Sequence, residues 1–168
     1  KSLNKKIVQL GSFGFQQFGK DEYEKETDLI LEFGKTPALY KKICWYGNIN
    51  TNPIRSQFYS IAKNNPNIFH VVDVNKQKSD IWENPKFISM PEQVKLGHFL
   101  IDIPGQGWSA RLQTLMFSNR PMIIVKPHFC EHWFYDLEPW KHYIPLKSDL
   151  SDLSNIITIE EFAFTNSG

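Results

Sequence analysis

From Ile43 onward, short strand-prone runs alternate with helix-prone segments, and this alternation constrains the fold more than any single motif. Ile43 to Tyr46 reads as a buried strand closed by Gly47-Asn48. Pro53 suits the first turn of a helix that runs to about Lys63 and is broken at Asn64 to Asn67. Ile68 to Val74 is β-branched and aromatic, hence a strand. Asn75 to Lys86 is polar and irregular, and Pro91 to Lys95 predicts a short helix. His98 to Ile103 is the next strand, Pro104 to Gly107 a turn, and Ser109 to Phe117 a helix. A strand at Pro121 to Val125, a helix at His128 to Leu137 and a short strand at His142 to Pro145 follow. Ser148 to Asp152 then leads into a final helix. Upstream, Lys5 to Leu10 is strand-prone, Gly11 to Phe15 is a loop, and Asp21 to Phe33 is helical up to Gly34. The pattern predicts an α/β doubly wound fold with a mostly parallel sheet. Ligands of such folds lie at the carboxyl ends of strands, which points to the loops after Tyr46 and after Ile103.

Composition narrows the function classes. A chain of 168 residues with 41% hydrophobic residues can bury a real core. A formal net charge of +1 provides no global field for nucleic acid or an anionic membrane, so any anion site must be local. The pairs Lys5-Lys6 and Lys41-Lys42 read as solvated charges. Two cysteines, Cys44 and Cys130, make no disulfide framework and read as buried thiols. No apolar run approaches transmembrane length; the longest, at Met122 to Val125, is strand-sized.

The stretch from His98 to Phe117 carries the most chemistry. A strand runs into Pro104-Gly105-Gln106-Gly107 and a helix follows. Glycines allow close approach of a ligand, and a helix start offers free N–H groups to phosphate. Ser109 adds a hydroxyl donor, and Arg111 adds a cation able to grip a diphosphate with two bonds. The plain alternative is a tight turn with a serine cap and a surface arginine.

Ile101-Asp102-Ile103-Pro104-Gly105-Gln106-Gly107-Trp108-Ser109-Ala110-Arg111-Leu112 resembles the hallmark segment of glycosyltransferase family 90. This is the family of protein O-glucosyltransferases and capsule-associated xylosyltransferases. Glu131 to Tyr135 and Leu137 to Leu153 resemble its second signature. Trp45-Tyr46-Gly47 with Arg55 resembles its aromatic-x-Gly segment and later arginine, although a basic residue often stands where Tyr46 does. The resemblance covers roughly Ile43 to Ile156 and implies the Rossmann-like C-terminal half of a GT-B glycosyltransferase. Residues 41–168 would then form the nucleotide-sugar-binding domain, with 1–40 an N-terminal extension or a remnant of the preceding domain.

By the same resemblance, Ser109 and Arg111 hold the diphosphate, while Gly105, Gln106, Gly107, Trp108 and Ala110 shape the loop. Gly47 and Arg55 line the same site, with Arg55 neutralising charge on the leaving UDP. The implied reaction moves a hexose or pentose from a UDP-sugar to a hydroxyl of a protein, polysaccharide or lipid-linked glycan, with inversion. No cofactor and no metal are expected; the implied partners are the UDP-sugar and the acceptor, not nucleic acid. Inverting transfer needs a general base. The family draws it from the other domain, and no residue here matches it; Asp21 and Glu22 read as helix-start charges. A chain without a base is either part of a larger enzyme or an inactive homologue. The compartment follows the source: cytoplasmic or membrane-peripheral for a microbial or viral chain, the ER or Golgi lumen for a eukaryotic one.

Three rival readings remain. His128 and His132 fall at i and i+4, one helix face, which invites a metal, with His142 further on. The lone His70 and His98 lie in strands as core or edge residues. The aromatic run from Trp133 to Tyr143 could stack a sugar, as in a non-catalytic carbohydrate-binding module, or fill the core behind the donor site. Glu131 is a helix-start carboxylate or a contact to the donor sugar's hydroxyls.

Overall fold

The computed structural model of the chain describes residues 19–74 and 88–158. The strand at Lys5 to Leu10, the loop at Gly11 to Phe15 and the irregular stretch at Asn75 to Lys86 lie outside the described residues. Helix α1 (Lys20–Gly34) precedes strand β1 (Tyr40–Gly47), a 3-10 turn (Ile49–Thr51) and helix α2 (Pro53–Asn64). Strand β2 (Phe69–Asp73), helix α3 (Met90–Leu96) and strand β3 (Gly97–Asp102) follow. The one-turn helix α4 (Leu112–Leu115), strand β4 (Met122–Val125), a 3-10 helix (His132–Asp136) and strand β5 (Ile144–Leu146) complete the ordered series. Residues 153–158 are again helical.

All five strands are parallel, in the order β2-β1-β3-β4-β5. The sheet is therefore the α/β parallel sheet that the alternating sequence predicts. Both of its faces are covered, so its central strands read as continuous apolar runs. All four residues of β4 are buried. Side-chain alternation then splits the core in two. Ile43, Trp45, Ile101, Ile103, Ile123 and Val125 join Phe58 and Ala62 of α2 and Leu153 and Ile156 on one face. Cys44, Tyr46, Leu100, Met122 and Ile124 join Ile30 of α1, Val94 of α3 and Leu112 and Leu115 of α4 on the other. Asp102 is two residues beyond Leu100, so it continues that second face as a buried carboxylate at the end of β3.

Local chemistry sets the helix boundaries. Asn52 caps α2 through its Oδ1, with Pro53 in the first turn. Ser89 and Glu92 form a capping box on α3. Arg120 performs the opposite task at the other end of the sheet. Its Nε donates to the Val94 carbonyl at 3.2 Å, and its Nη2 to Phe33 and Thr36 at 3.0 and 2.7 Å. One guanidinium thus gathers the last carbonyls of α1 and α3. Gly34 makes this junction close, because a Cβ there would lie 1.8 Å from the Ser118 carbonyl oxygen.

Two segments depart from expectation. The helix expected from Ser109 to Phe117 is a single turn, Leu112–Leu115, because the Ser109 and Arg111 side chains are drawn back to Asp102. The helix expected from His128 to Leu137 is only the 3-10 turn His132–Asp136, since Glu131 stays extended with its carboxylate on the Trp133 indole. His128 and His132 therefore do not share an α-helical face, which removes the geometry of the metal reading. The last strand runs from Ile144 to Leu146 rather than from His142, because His142 Nδ1 accepts the Glu138 N–H in a preceding turn. Cys44 is buried, but Cys130 is only half-buried; both are free thiols.

Two predictions follow from this packing. Gly34→Ala forces a methyl into the Ser118 backbone and is expected to destabilise the chain by about 1–3 kcal/mol, read as a lowered urea midpoint. Burial pushes the Cys44 thiol up from 9.0 to about 11, and the Tyr46 phenol further up, burial again first and Cys44 second. The folded chain keeps these protons where the unfolded chain loses them, so stability is expected to fall as pH rises from about 9 toward 11. Urea titrations at pH 8, 9 and 10.5 should show the drop, and Cys44→Ala should shrink it between pH 8 and 10.5; an equal drop in the variant would assign it to other groups.

Candidate functional site

The sheet order places a topological switch between β1 and β3. The chain leaves β1 toward β2 and leaves β3 toward β4, so the two loops diverge at the carboxyl ends of adjacent strands. Gly47 to Asn52 forms one wall and Ile103 to Arg111 the other.

Arg55 ties these walls together from the α2 side. Its Nε lies 3.2 Å from the Ile103 carbonyl and 3.1 Å from that of Pro104. Its Nη2 donates to Ile103 at 2.7 Å, and its Nη1 to the Asn48 carbonyl and to Thr51 Oγ1 at 3.3 and 2.7 Å. Burial first, then the charge of Arg111, draws its pKa down to about 10, while Asp102 acts in the opposite direction. The group remains a cation at neutral pH. Asn52 adds a second tie, with Nδ2 donating to the Gly105 carbonyl at 2.8 Å. Gly105 sits against Arg55: a Cβ there would meet Nη2 at 3.4 Å. At Gly47 a Cβ would lie 2.6 Å from Trp45 Cζ2, because the indole folds beneath the strand end and Arg55 stands over it at 5.7 Å.

Arg111 ties the same walls from the other side. Its Nε pairs with Asp102 Oδ1 at 3.1 Å, and its Nη1 donates to the Tyr46 carbonyl at 2.6 Å. Its Nη2 is buried and has no protein partner. Ser109 donates its hydroxyl to the same Asp102 Oδ1 at 2.7 Å. Asp102 therefore organises the loop, and the sequence reading passed over it. Its signal is a carboxylate at the end of a largely apolar strand, seven residues before a serine and nine before an arginine.

A cleft opens beside this cluster, lined by Asp102, Trp108, Ser109, Leu112, Phe129, Glu131 and others. Trp108 is 52% and Phe129 65% exposed at its rim. Glu131 accepts the Trp133 indole N–H at 2.8 Å through one oxygen. Trp133, Phe134 and Tyr143 pack against the second core, whereas Tyr135 and Trp140 face outward. The aromatic run thus divides between core and surface. Gln106 is exposed, Gly107 and Ala110 are half-buried, and a Cβ at Gly107 would meet nothing within 4 Å. His70 lies on β2 between the Tyr40 and Tyr46 rings, and burial lowers its pKa. Among the described residues, no three His, Cys, Asp or Glu side chains converge as a metal site.

Gly105, Arg55 and Gly47 thus meet at one edge of the switch point, while Trp108, Ser109 and Glu131 meet in the cleft. Arg111 stands on the cleft's side of the sheet, linked to it through Asp102.

Known proteins share this arrangement of sequence. The model of the family described as Glycosyl transferase family 90 matches residues 34–165. The chain is 26% identical over 139 residues to Protein O-glucosyltransferase 1 of Rattus norvegicus, a match covering 77% of this chain and 35% of that protein. It is 25% identical over 139 residues to Protein O-glucosyltransferase 1 of Homo sapiens, with the same coverage of 77% and 35%. Over a shorter span of 55 residues it is 36% identical to Protein O-glucosyltransferase 2 of Danio rerio, covering 33% of this chain and 11% of that one. The matched region is thus about a third of the first relatives' own length. Since the family match runs through both walls of the switch point and most of the chain, the chain belongs to glycosyltransferase family 90.

Proposed function

We propose that this chain is the nucleotide-sugar-binding part of a UDP-sugar-dependent, inverting glycosyltransferase. It would move a hexose or pentose to a hydroxyl of a protein, polysaccharide or lipid-linked glycan. The observation that carries the reading is Arg111. Its side chain is fixed on two sides by Asp102 and the Tyr46 carbonyl, and its remaining buried N–H group has no protein partner. A donor held in that state beside a glycine loop at a switch point suits a diphosphate. Because α4 is a single turn starting at Leu112, this attraction rests on side chains rather than on a long helix start.

Arg55 spends its hydrogen bonds on carbonyls of both loops. It would act on the leaving UDP through its charge and through the loop it holds in place. Cationic side chains take the place of a metal in this reading. The general base would come from outside the described residues.

Titration calorimetry with UDP, UDP-glucose, UDP-xylose and free glucose tests the proposal. Binding of the UDP species is expected, and Arg111→Ala should weaken it by about tenfold to a hundredfold, the worth of a hydrogen bond to a charged group. A folded chain that ignores every UDP species would sink the reading. Binding of free glucose alone, with the exposed Trp108 and Phe129 as a stacking surface, would favour a carbohydrate-binding module instead.

A further inference from the structure

The direction of one hydrogen bond decides what Ser109 can recognise. A hydroxyl has one proton and two lone pairs, and an ionised carboxylate only accepts. Ser109 Oγ gives its proton to Asp102 Oδ1 at 2.7 Å. Asp102 is 2% exposed and is ion-paired with Arg111, so it holds that proton in a place where a lost partner is not replaced by water. Ser109 therefore faces the cleft with lone pairs. Of the carboxylates on the cleft, Asp102 is taken up by Ser109 and Arg111, and Glu131 is likewise an acceptor, with one oxygen already taken by the Trp133 indole. A phosphate oxygen brings lone pairs of its own and finds no free proton on the Ser109 hydroxyl or the Glu131 carboxylate, whereas a ligand hydroxyl or N–H group finds an acceptor.

We infer that Ser109 accepts a hydrogen bond from a hydroxyl or N–H group of the donor, and that Asp102 is the positioning residue that fixes this polarity. The phosphate charge is left to Arg111. This rests on the donor-site reading above and reassigns Ser109 within it, from a phosphate donor to a reader of the donor's proton-bearing groups.

The test takes as its pyrophosphate probe the P,P′-dimethyl diester, whose two acidic groups are both ionised at neutral pH and carry no proton, and compares it with UDP and UDP-glucose on the wild-type chain, Ser109→Ala and Asp102→Asn. Ser109→Ala is expected to leave pyrophosphate affinity within about twofold and to weaken UDP-glucose about fivefold. A matching loss for UDP would place the recognised group on the nucleoside, and a loss confined to UDP-glucose would place it on the sugar. Ser109 Oγ and Arg111 Nε share Asp102 Oδ1, so Asn at position 102 keeps its amide oxygen there and still accepts the serine proton. Asp102→Asn is therefore expected to spare the UDP-glucose affinity that Ser109→Ala weakens, whereas a loss as large as that of Ser109→Ala would assign the effect to the carboxylate charge and overturn the positioning role of Asp102. Thermal unfolding checks that each variant is folded, and if Asp102→Asn is not, Ser109→Ala decides alone. Equal losses of pyrophosphate and UDP-glucose in Ser109→Ala would overturn the inference while leaving the donor site standing. A wild-type chain that binds none of the three ligands would overturn both.

Discussion

Two arginines close the gap between the carboxyl ends of β1 and β3, and the shape of the candidate site depends on them. A parallel sheet whose central strands diverge must leave a crevice there. Nothing in the sheet's own hydrogen bonds sets the width of that crevice. Arg55 reaches across from the α2 face to the carbonyls of Asn48, Ile103 and Pro104. Arg111 reaches across from the α4 face to the Tyr46 carbonyl and Asp102. Each fixes a residue of the β1 end to a residue of the β3 end. The glycine positions follow from that clasp: Gly105 rests on the Arg55 guanidinium and Gly47 on the Trp45 ring that lies under it.

The fold was legible because its signals are local and redundant. A buried parallel strand such as β4 is a bare apolar run, and the helix starts at Asn52 and Ser89 carry their capping residues in sequence. Helix lengths after Ser109 and after His128 were not legible, because side-chain hydrogen bonds overrode helix propensity there. Ser109 and Arg111 serve Asp102 instead of starting a helix, and Glu131 serves the Trp133 indole. The same distinction holds for the site. Motif resemblance picked out Gly105 to Arg111 and Arg55, yet it said nothing of direction. That Arg55 points at carbonyls, that Ser109 gives its proton inward, and that Asp102 commands both Ser109 and Arg111 are facts of side-chain geometry. Arg120 passed unnoticed for a related reason: the carbonyls it gathers lie 84 and 87 residues away for Thr36 and Phe33.

The pairing of Arg111 with a buried carboxylate looks at first like a poor way to attract an anion, since Asp102 offsets much of the charge. With a chain of net charge +1, long-range attraction is small in any case. What the pair offers is order. A free arginine would lose side-chain freedom on binding, whereas this one is already immobilised with two of its nitrogens satisfied and the third buried without a protein partner. Under the proposed function, affinity would come from a prepared hydrogen bond in a buried place, where it is stronger than in water. It also depends on Asp102 remaining where β3 ends, because this one carboxylate holds the loop, the arginine and the polarity of the serine together.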